Sequence, residues 1–246
     1  MSSDYKLPSA HVGCLLVHGF TSAPSEMEGL ARYLEERGIG AHVPPLPGHG
    51  TSPDDLQGKT WLDWYASVSG ELDEMGARYE KVYMVGLSLG GALTLYAASR
   101  RGKELAGIVA MSAPIYFPPG LPFLLKRLQR RMPYMRKPFR DIQDRAARSR
   151  HESYMRAPVD ATASVVEFAG VVRAHLPKIR VPALIIYSRH DHVVHPLNSR
   201  YIYSRIGSRD KCLVALDRGF HIVTVDKDRE KVYASVYEFI REHSAG

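Results

Sequence analysis

One serine stands between glycines in the segment Gly86-Leu87-Ser88-Leu89-Gly90, which has the spacing G-x-S-x-G. An apolar, β-prone stretch precedes it and small, helix-forming residues follow it, so the pattern predicts a tight strand-to-helix turn. Such a turn presents the serine hydroxyl at the carboxyl end of a sheet, where the helix N-terminus favours developing negative charge. Ser88 is therefore the candidate nucleophile. The alternative is a glycine-rich turn whose serine has no chemical role.

A serine hydroxyl is a poor nucleophile at neutral pH, so it needs an imidazole to take its proton and a carboxylate to orient that imidazole. In enzymes built on this strand–turn–helix arrangement the chain order is serine, acid, histidine, each after a core strand. Asp191 follows the apolar stretch 183–187, and His221 follows the apolar stretch 212–216. Order and placement predict Asp191 as the orienting acid and His221 as the general base.

Two other acids lie near His221 in the sequence. Asp217 comes before its loop turns, and Asp226 suits the N-cap of a helix. Both remain alternatives, but Asp191 fits the required order better.

The histidines around Asp191 raise a different possibility. His190, His192 and His195 could be read as a metal cluster, but no second group of ligands with convincing spacing occurs in the chain. We therefore expect no metal and no cofactor.

The negative oxygen of a tetrahedral intermediate needs N–H donors. One is the backbone N–H of the residue after the nucleophile, which here is Leu89. The second should come from the end of an earlier strand, where His18-Gly19-Phe20 closes the apolar stretch 12–17. The Phe20 N–H is the candidate, because Gly19 allows a close backbone approach. The alternative for this segment is a simple turn.

Strand and helix patterns alternate along most of the chain, which predicts βαβ units, a parallel sheet and one α/β core domain. The predicted strands are 12–17, 40–43, 81–85, 107–111, 183–187 and 212–216, and the predicted helices are 25–37, 61–79, 89–99, 164–175, 197–206 and a last helix from about Asp226. Two capping boxes mark helix starts, Ser25 with Glu28 and Thr60 with Asp63.

The segment 115–165 breaks this alternation. It is rich in proline, and its eleven Lys and Arg against four acidic residues account for the whole formal net charge of +7. We interpret it as a small basic cap inserted into a core formed by 1–114 and 166–246. It contains no recognisable nucleic-acid motif, so no nucleic-acid partner is expected. Its apolar residues predict either peripheral contact with anionic lipid surfaces or a solvated basic face over an apolar acyl tunnel.

The composition, 45% hydrophobic and 24% charged, is that of a soluble globular protein. The first residues lack the basic start and apolar run of a secretory signal, so a cytoplasmic location is expected. Cys14 and Cys212 lie far apart in strand-like surroundings. We expect both to be reduced core residues.

Together these motifs resemble those of bacterial carboxylesterases and monoacylglycerol lipases of the α/β-hydrolase superfamily. The resemblance covers nearly the whole chain and rests on five segments: His18–Thr21, Pro47–Gly50, Gly86–Gly91, Arg189–Val194 and Phe220–Asp226. It implies an α/β-hydrolase fold: a mostly parallel central sheet, helices on both faces and a small inserted cap. It also implies a triad of Ser88, Asp191 and His221, with oxyanion donors at Phe20 and Leu89.

This resemblance predicts a serine carboxylic ester hydrolase that acts through an acyl-enzyme on short-to-medium-chain esters or monoacylglycerols. Because His221 must be neutral to accept a proton, activity is expected to fall below about pH 6.5, the ordinary histidine pKa. The alternatives are a thioesterase or amidase that uses the same triad, and a non-catalytic ligand-binding homologue.

Overall fold

Six of the apolar stretches form one parallel sheet in the computed structural model, which describes residues 11–129, 131–137 and 139–244. Its strands are β1 (Val12–Val17), β2 (Gly40–His42), β3 (Lys81–Leu87), β4 (Gly107–Met111), β7 (Ala183–Ser188) and β8 (Lys211–Leu216), in the order β2-β1-β3-β4-β7-β8. A short antiparallel pair, β5 (Tyr134–Arg136) with β6 (Arg156–Pro158), lies apart from this sheet. The predicted parallel sheet is confirmed.

Helices cover both faces of the sheet. The helices of the described residues are α1 (Ser25–Glu35), α2 (Trp61–Arg78), α3 (Leu89–Arg101), α4 (Leu121–Leu128), α5 (Arg145–Arg150), α6 (Val159–His175), α7 (Leu197–Arg205) and α8 (Arg229–Ser244). Helices α1 and α8 pack on one face, and α2, α3, α6 and α7 pack on the other. Among the described residues, no helix is both long and apolar enough to cross a bilayer; the cytoplasmic location stays a prediction.

Alternate side chains of each central strand point to opposite faces of the sheet. Leu15 and Val17 of β1 join the core under α2 and α3, whereas Cys14 and Leu16 join the core under α1 and α8. Both sets are fully buried, and for this reason the strand is a continuous apolar run in the sequence.

The two predicted capping boxes have different outcomes. The Asp63 carboxylate accepts hydrogen bonds from the Thr60 N–H at 2.7 Å and from the Thr60 hydroxyl at 2.8 Å, at the start of α2. The Ser25 box is wrong: α1 has Pro24 at its N-cap, and the Ser25 hydroxyl donates to Glu152 instead. A carboxylate from the distant segment 115–165 therefore competes successfully for the local capping group.

The cysteine prediction is half correct. Cys14 is buried in the sheet, but Cys212 is exposed because it lies near the start of the edge strand β8, which is covered less completely than the central strands.

The segment 115–165 contains α4, β5, α5, β6 and the start of α6. Helix α6 begins at Val159 rather than near Ser164 and continues without a break to His175, so the boundary predicted at 165 falls inside a helix. The division into core and cap stays a prediction. Leu125 of this segment packs with Val159 and with Val166, which lies just beyond it, and the three form a small separate core.

Candidate active site

Ser88 lies at the turn between β3 and α3, where the chain reverses at the carboxyl end of the sheet. Two glycines make this turn possible. A Cβ atom on Gly86 would lie 2.1 Å from the Gly90 carbonyl oxygen, and a Cβ atom on Gly90 would lie 2.1 Å from the Val17 carbonyl oxygen. Side chains at either position would clash with backbone, so the spacing G-x-S-x-G follows from packing.

The backbone of Ser88 is held in an unusual conformation, with φ at 55° and ψ at −115°. Positive φ is costly for a residue with a side chain and persists only where the surroundings fix it. Here the Ser88 N–H donates to the Met111 carbonyl at 2.9 Å, and helix α3 follows immediately. The predicted strand–turn–helix arrangement around Ser88 is thus present.

His221 and Asp191 lie together in the loops that follow β8 and β7. The His221 Nδ1 is 2.8 Å from the Asp191 Oδ2, and both side chains are buried. The other carboxylate oxygen, Oδ1, accepts the N–H groups of Val193 at 2.9 Å and Val194 at 2.7 Å. An ionised Asp191 can only accept, so His221 carries its proton on Nδ1 and its Nε2 is free to act as a base.

Burial and ion pairing shift the pKa values of Asp191 and His221 in opposite directions. Burial raises the pKa of Asp191, but the charge of His221 and the hydrogen bonds outweigh it and hold the pKa below its usual value. Burial lowers the pKa of His221, but the charge and hydrogen bond of Asp191, helped by Glu26 and Asp141, raise it above its ordinary 6.5. The pair is therefore suited to stabilise an imidazolium.

The two candidate oxyanion donors lie at the predicted strand ends. Among the described residues, neither the Phe20 N–H nor the Leu89 N–H has a hydrogen-bond partner within the protein. A Cβ atom on Gly19 would lie 3.4 Å from the Ser88 Cβ, so the loop after β1 passes directly beside the serine. Both N–H groups thus remain available to a ligand.

Histidine 18 fixes this loop. Its Nδ1 donates to the Gly19 carbonyl at 2.9 Å, and its Nε2 accepts the Leu46 N–H at 3.1 Å. Because an ionised ring could not accept, the hydrogen bonds require a neutral imidazole. Burial lowers the pKa of His18, in agreement with that assignment.

Glu26 of α1 fixes the same loop from the other side, although nothing in its sequence context indicates such a role. Its Oε2 accepts the Gly19 N–H at 2.6 Å, and its Oε1 accepts His151 Nε2 at 3.0 Å. Burial raises the pKa of Glu26, but these contacts together lower it to about 2. A buried carboxylate thus joins the candidate oxyanion loop to the segment 115–165.

Asp141 is a second acid with no sequence signal for its position. Although it belongs to the segment 115–165, it is buried against the two candidate catalytic loops. Its Oδ2 accepts the N–H groups of His192 at 3.0 Å and His221 at 3.2 Å, and its Oδ1 contacts the His192 Nδ1 at 2.8 Å. One carboxylate therefore sets the spacing between the loop of Asp191 and the loop of His221.

The alternative acids have other roles. Asp217 is exposed and pairs with the Arg189 Nε at 2.7 Å. Asp226 is buried, and its Oδ2 accepts hydrogen bonds from the backbone N–H groups of Phe220 and Gln143. Neither carboxylate contacts the His221 ring, and α8 begins three residues after Asp226, at Arg229.

The three histidines that flank Asp191 in the sequence have different surroundings. The His192 ring contacts Asp141, the His195 Nδ1 accepts the Leu197 N–H, and the His190 side chain is exposed. Over the part of the chain that the structure describes, no three His, Cys, Asp or Glu side chains are grouped to hold a metal ion.

Ser88 and His221 line the same cavity, which has a volume of about 300 Å³. Its walls are largely apolar and include Phe20, Phe139 and Ile222. One candidate oxyanion residue, Phe20, thus lines the same pocket as the candidate nucleophile and the imidazole that Asp191 holds.

Comparisons with known proteins show which family the chain belongs to. The family model described as serine aminopeptidase, S33, matches residues 8–228. A thermostable monoacylglycerol lipase of Bacillus sp. (strain H-257) is 33% identical over 239 residues, 95% of this chain and 92% of the relative. A carboxylesterase of Bacillus subtilis (strain 168) is 29% identical over 93% of this chain and 92% of its own length.

A solved structure from work on two metagenome-derived lipolytic enzymes superposes with a TM-score of 0.89 at 34% identity, covering 96% of this chain and 99% of the other. The predicted family resemblance is confirmed. The chain belongs to the serine aminopeptidase S33 family of the α/β-hydrolase superfamily, as a relative of bacterial carboxylesterases and monoacylglycerol lipases.

Proposed function

We propose that the protein is a serine carboxylic ester hydrolase that acts on short-to-medium-chain esters or monoacylglycerols through an acyl-enzyme. One observation carries the proposal: Ser88, on its strained turn, opens onto the same apolar cavity as His221, which is hydrogen-bonded to Asp191. The names of the relatives support ester hydrolysis in particular.

The proposed reaction has two steps. His221 Nε2 takes the hydroxyl proton of Ser88 as its oxygen attacks the ester carbonyl, and Asp191 stabilises the resulting imidazolium. The N–H groups of Phe20 and Leu89 bind the oxyanion, and His221 then protonates the departing alcohol. In the second step His221 takes a proton from water as the water oxygen attacks the acyl-enzyme. His221 then returns this proton to the Ser88 oxygen as the acid leaves, so the enzyme is regenerated and no cofactor is needed.

Amide hydrolysis is the second candidate, because the matching family model is described as an aminopeptidase. The test is a substrate series: 4-nitrophenyl esters of rising acyl length, monoacylglycerols, a matched thioester and an aminoacyl 4-nitroanilide. We expect esters to have the highest kcat/KM, with an optimum at short or medium chains. A higher kcat/KM for the anilide or the thioester would make the protein an amidase or a thioesterase. Absence of both turnover and covalent labelling by a fluorophosphonate would indicate a non-catalytic ligand-binding protein.

The pH dependence tests the proposed base. Because the pKa of His221 is raised above 6.5, the residue stays protonated to higher pH than an ordinary histidine. The protonated ring cannot accept a proton, so kcat/KM should fall on the acid side with a midpoint above pH 6.5, higher than the sequence alone predicts. A profile of kcat/KM between pH 5 and 9 measures this midpoint. A midpoint at or below 6.5, or a flat acid limb, would contradict the assignment.

Contact of the cap with lipid surfaces is also a proposal. Phe123 and Leu124 of α4 are 72% and 49% exposed, and the neighbouring Lys126, Arg127 and Arg131 supply positive charge. Apolar side chains beside cations suit the interface of an anionic bilayer.

Sedimentation with phosphatidylglycerol vesicles at low salt tests this contact. We expect the wild type to bind, and Phe123→Ser/Leu124→Ser to lose most of its binding because the inserted apolar area is removed. Leu197→Ser, which changes an exposed leucine of α7, is the matched control. Absence of wild-type binding, or equal losses in the two variants, would refute the proposal.

A further inference from the structure

Three cationic side chains line the wall of the cavity that holds Ser88. Arg136, Lys137 and Arg140 come from β5 and the chain that follows it. Within the described residues none of them forms an ion pair with a carboxylate. Arg140 donates from its Nε to the Ser153 hydroxyl at 3.3 Å, so the partner that it has among the described residues is neutral. The positive charge on this wall is therefore not compensated by a contacting acid.

Lys137 is the most enclosed of the three. Its ammonium group lies 2.7 Å from the Thr21 Oγ1, and the Thr21 hydroxyl donates to the Phe20 carbonyl at 2.6 Å. Thr21 has a φ of 64°, which is unfavourable for a β-branched residue. A strained residue thus places a neutral acceptor under the ammonium group, one residue from the candidate oxyanion donor.

The acids that share this cavity are already occupied. Glu26 accepts the Gly19 N–H and His151 Nε2, and Asp141 accepts the backbone of both candidate catalytic loops. The His151 Nδ1 is buried and has no hydrogen-bond partner among the described residues. Among the described residues, the cavity therefore offers cations without an acidic partner but no carboxylate without a hydrogen-bond partner.

A lone cation that is partly removed from water is unfavourable unless an anion joins it. Burial lowers the pKa of Lys137, with Arg140 acting in the same direction and Glu26 opposing both. A bound anion would remove the cost of keeping this ammonium group charged.

We propose that the preferred substrates are esters that carry an anionic group, a carboxylate or a phosphate, and that Lys137, assisted by Arg136 and Arg140, binds this group. The inference rests on the proposed ester hydrolase function and narrows its substrate class. The apolar walls of the same cavity receive the hydrocarbon part, while the anion lies on the cationic wall beside the oxyanion loop.

Two matched substrate pairs test the proposal and separate the two sources of negative charge. One pair is 4-nitrophenyl hexanoate and the 4-nitrophenyl monoester of adipic acid, which differ by a carboxylate on the acyl side. The other is 1-octanoylglycerol and 1-octanoylglycerol 3-phosphate, which differ by a phosphate on the alcohol side. We expect the anionic member of at least one pair to have a kcat/KM about tenfold higher at low salt, as one charge-assisted contact provides.

Lys137→Met should lower this anionic-to-neutral ratio by about tenfold, and Lys137→Arg should retain it because the charge remains. Lys103→Met removes an exposed cation that follows α3 and lies outside this cavity, and it serves as the matched control. A neutral preference in both pairs, or an unchanged ratio in Lys137→Met, would overturn the proposal.

Binding without turnover separates this inference from the proposed function. Calorimetric titration of Ser88→Ala with adipate and with glycerol 3-phosphate should detect binding of at least one anion, and adding Lys137→Met should weaken it about tenfold. Binding of neither anion would overturn the inference while leaving ester hydrolysis intact. Conversely, a wild type that hydrolyses no ester would refute the proposed function, whatever the titration shows.

Discussion

Ser88→Ala is expected to lower kcat for ester hydrolysis by about 10⁵-fold or more, since removing the nucleophile of a serine triad disables the whole catalytic unit. The remaining rate would come from binding and from the oxyanion donors alone. The fold should persist, because no hydrogen bond among the residues that the structure describes depends on the Ser88 hydroxyl. Initial rates with 4-nitrophenyl butyrate measure the first effect, and thermal unfolding measures the second.

Ser112→Ala provides the matched control. Ser112 is buried and Ser88 is half-buried, and both have a positive φ, which is 45° at Ser112. Ser112 follows β4 as Ser88 follows β3. Its hydroxyl has no hydrogen-bond partner among the described residues, and it does not line the cavity. Its substitution should change the rate by less than about threefold, within the range of ordinary neutral substitutions. Equal losses in the two variants would mean that the serine turn acts through stability and not through nucleophilic attack.

The sheet and the order of its helices could be predicted because their signals are local. Gly107–Met111 and Val12–Val17 were predicted with their observed bounds, since continuous apolar runs are what strands buried on both faces require. The turn at Ser88 could also be predicted, because only glycine fits at positions 86 and 90. A side chain at Gly86 would clash with Gly90, and one at Gly90 would clash with the adjacent strand. In each case the pattern of residue types in one short segment is enough to predict the local structure.

The supports of the candidate site could not be predicted in the same way. Asp141 accepts hydrogen bonds from residues 51 and 80 positions away in the chain, and Glu26 joins the nearby Gly19 N–H to His151, which is 125 positions away. An acidic residue in a basic segment, or in the first turn of a helix, reads as a solvated charge. Only the folded arrangement shows that each carboxylate is buried and accepts hydrogen bonds from the candidate catalytic loops.

The segment 115–165 illustrates the same limit for charge. Its excess of cations can be counted in the sequence, but the count does not distinguish the cavity-facing Lys137 from the exposed Lys126 or Arg131. Burial distinguishes them, because an unpaired ammonium group costs free energy inside a cavity and costs none when water solvates it. The role proposed for this segment therefore depends on where a few of its side chains lie.

Asp191→Asn is expected to lower kcat by about 10⁴-fold with little change in stability, the size of loss seen when a triad acid becomes an amide. The Oδ1 of Asp191 accepts two backbone N–H groups, from Val193 and Val194, and an asparagine must keep its only oxygen there. Its NH₂ group then faces the His221 Nδ1, which has to accept. The ring proton moves to Nε2, so the atom that should take the serine proton no longer has a lone pair.

Asp217→Asn is the matched control, because Asp217 also follows a strand of the sheet, is exposed, and among the described residues pairs with Arg189 alone. It should leave kcat within about twofold, as a surface ion pair contributes little. The acid limb gives a second readout: losing the negative charge that raises the pKa of His221 should shift the remaining activity to lower pH. A tenfold or smaller loss of kcat in Asp191→Asn would show that His221 does not depend on this carboxylate for its tautomer, and would reopen the choice of the orienting acid.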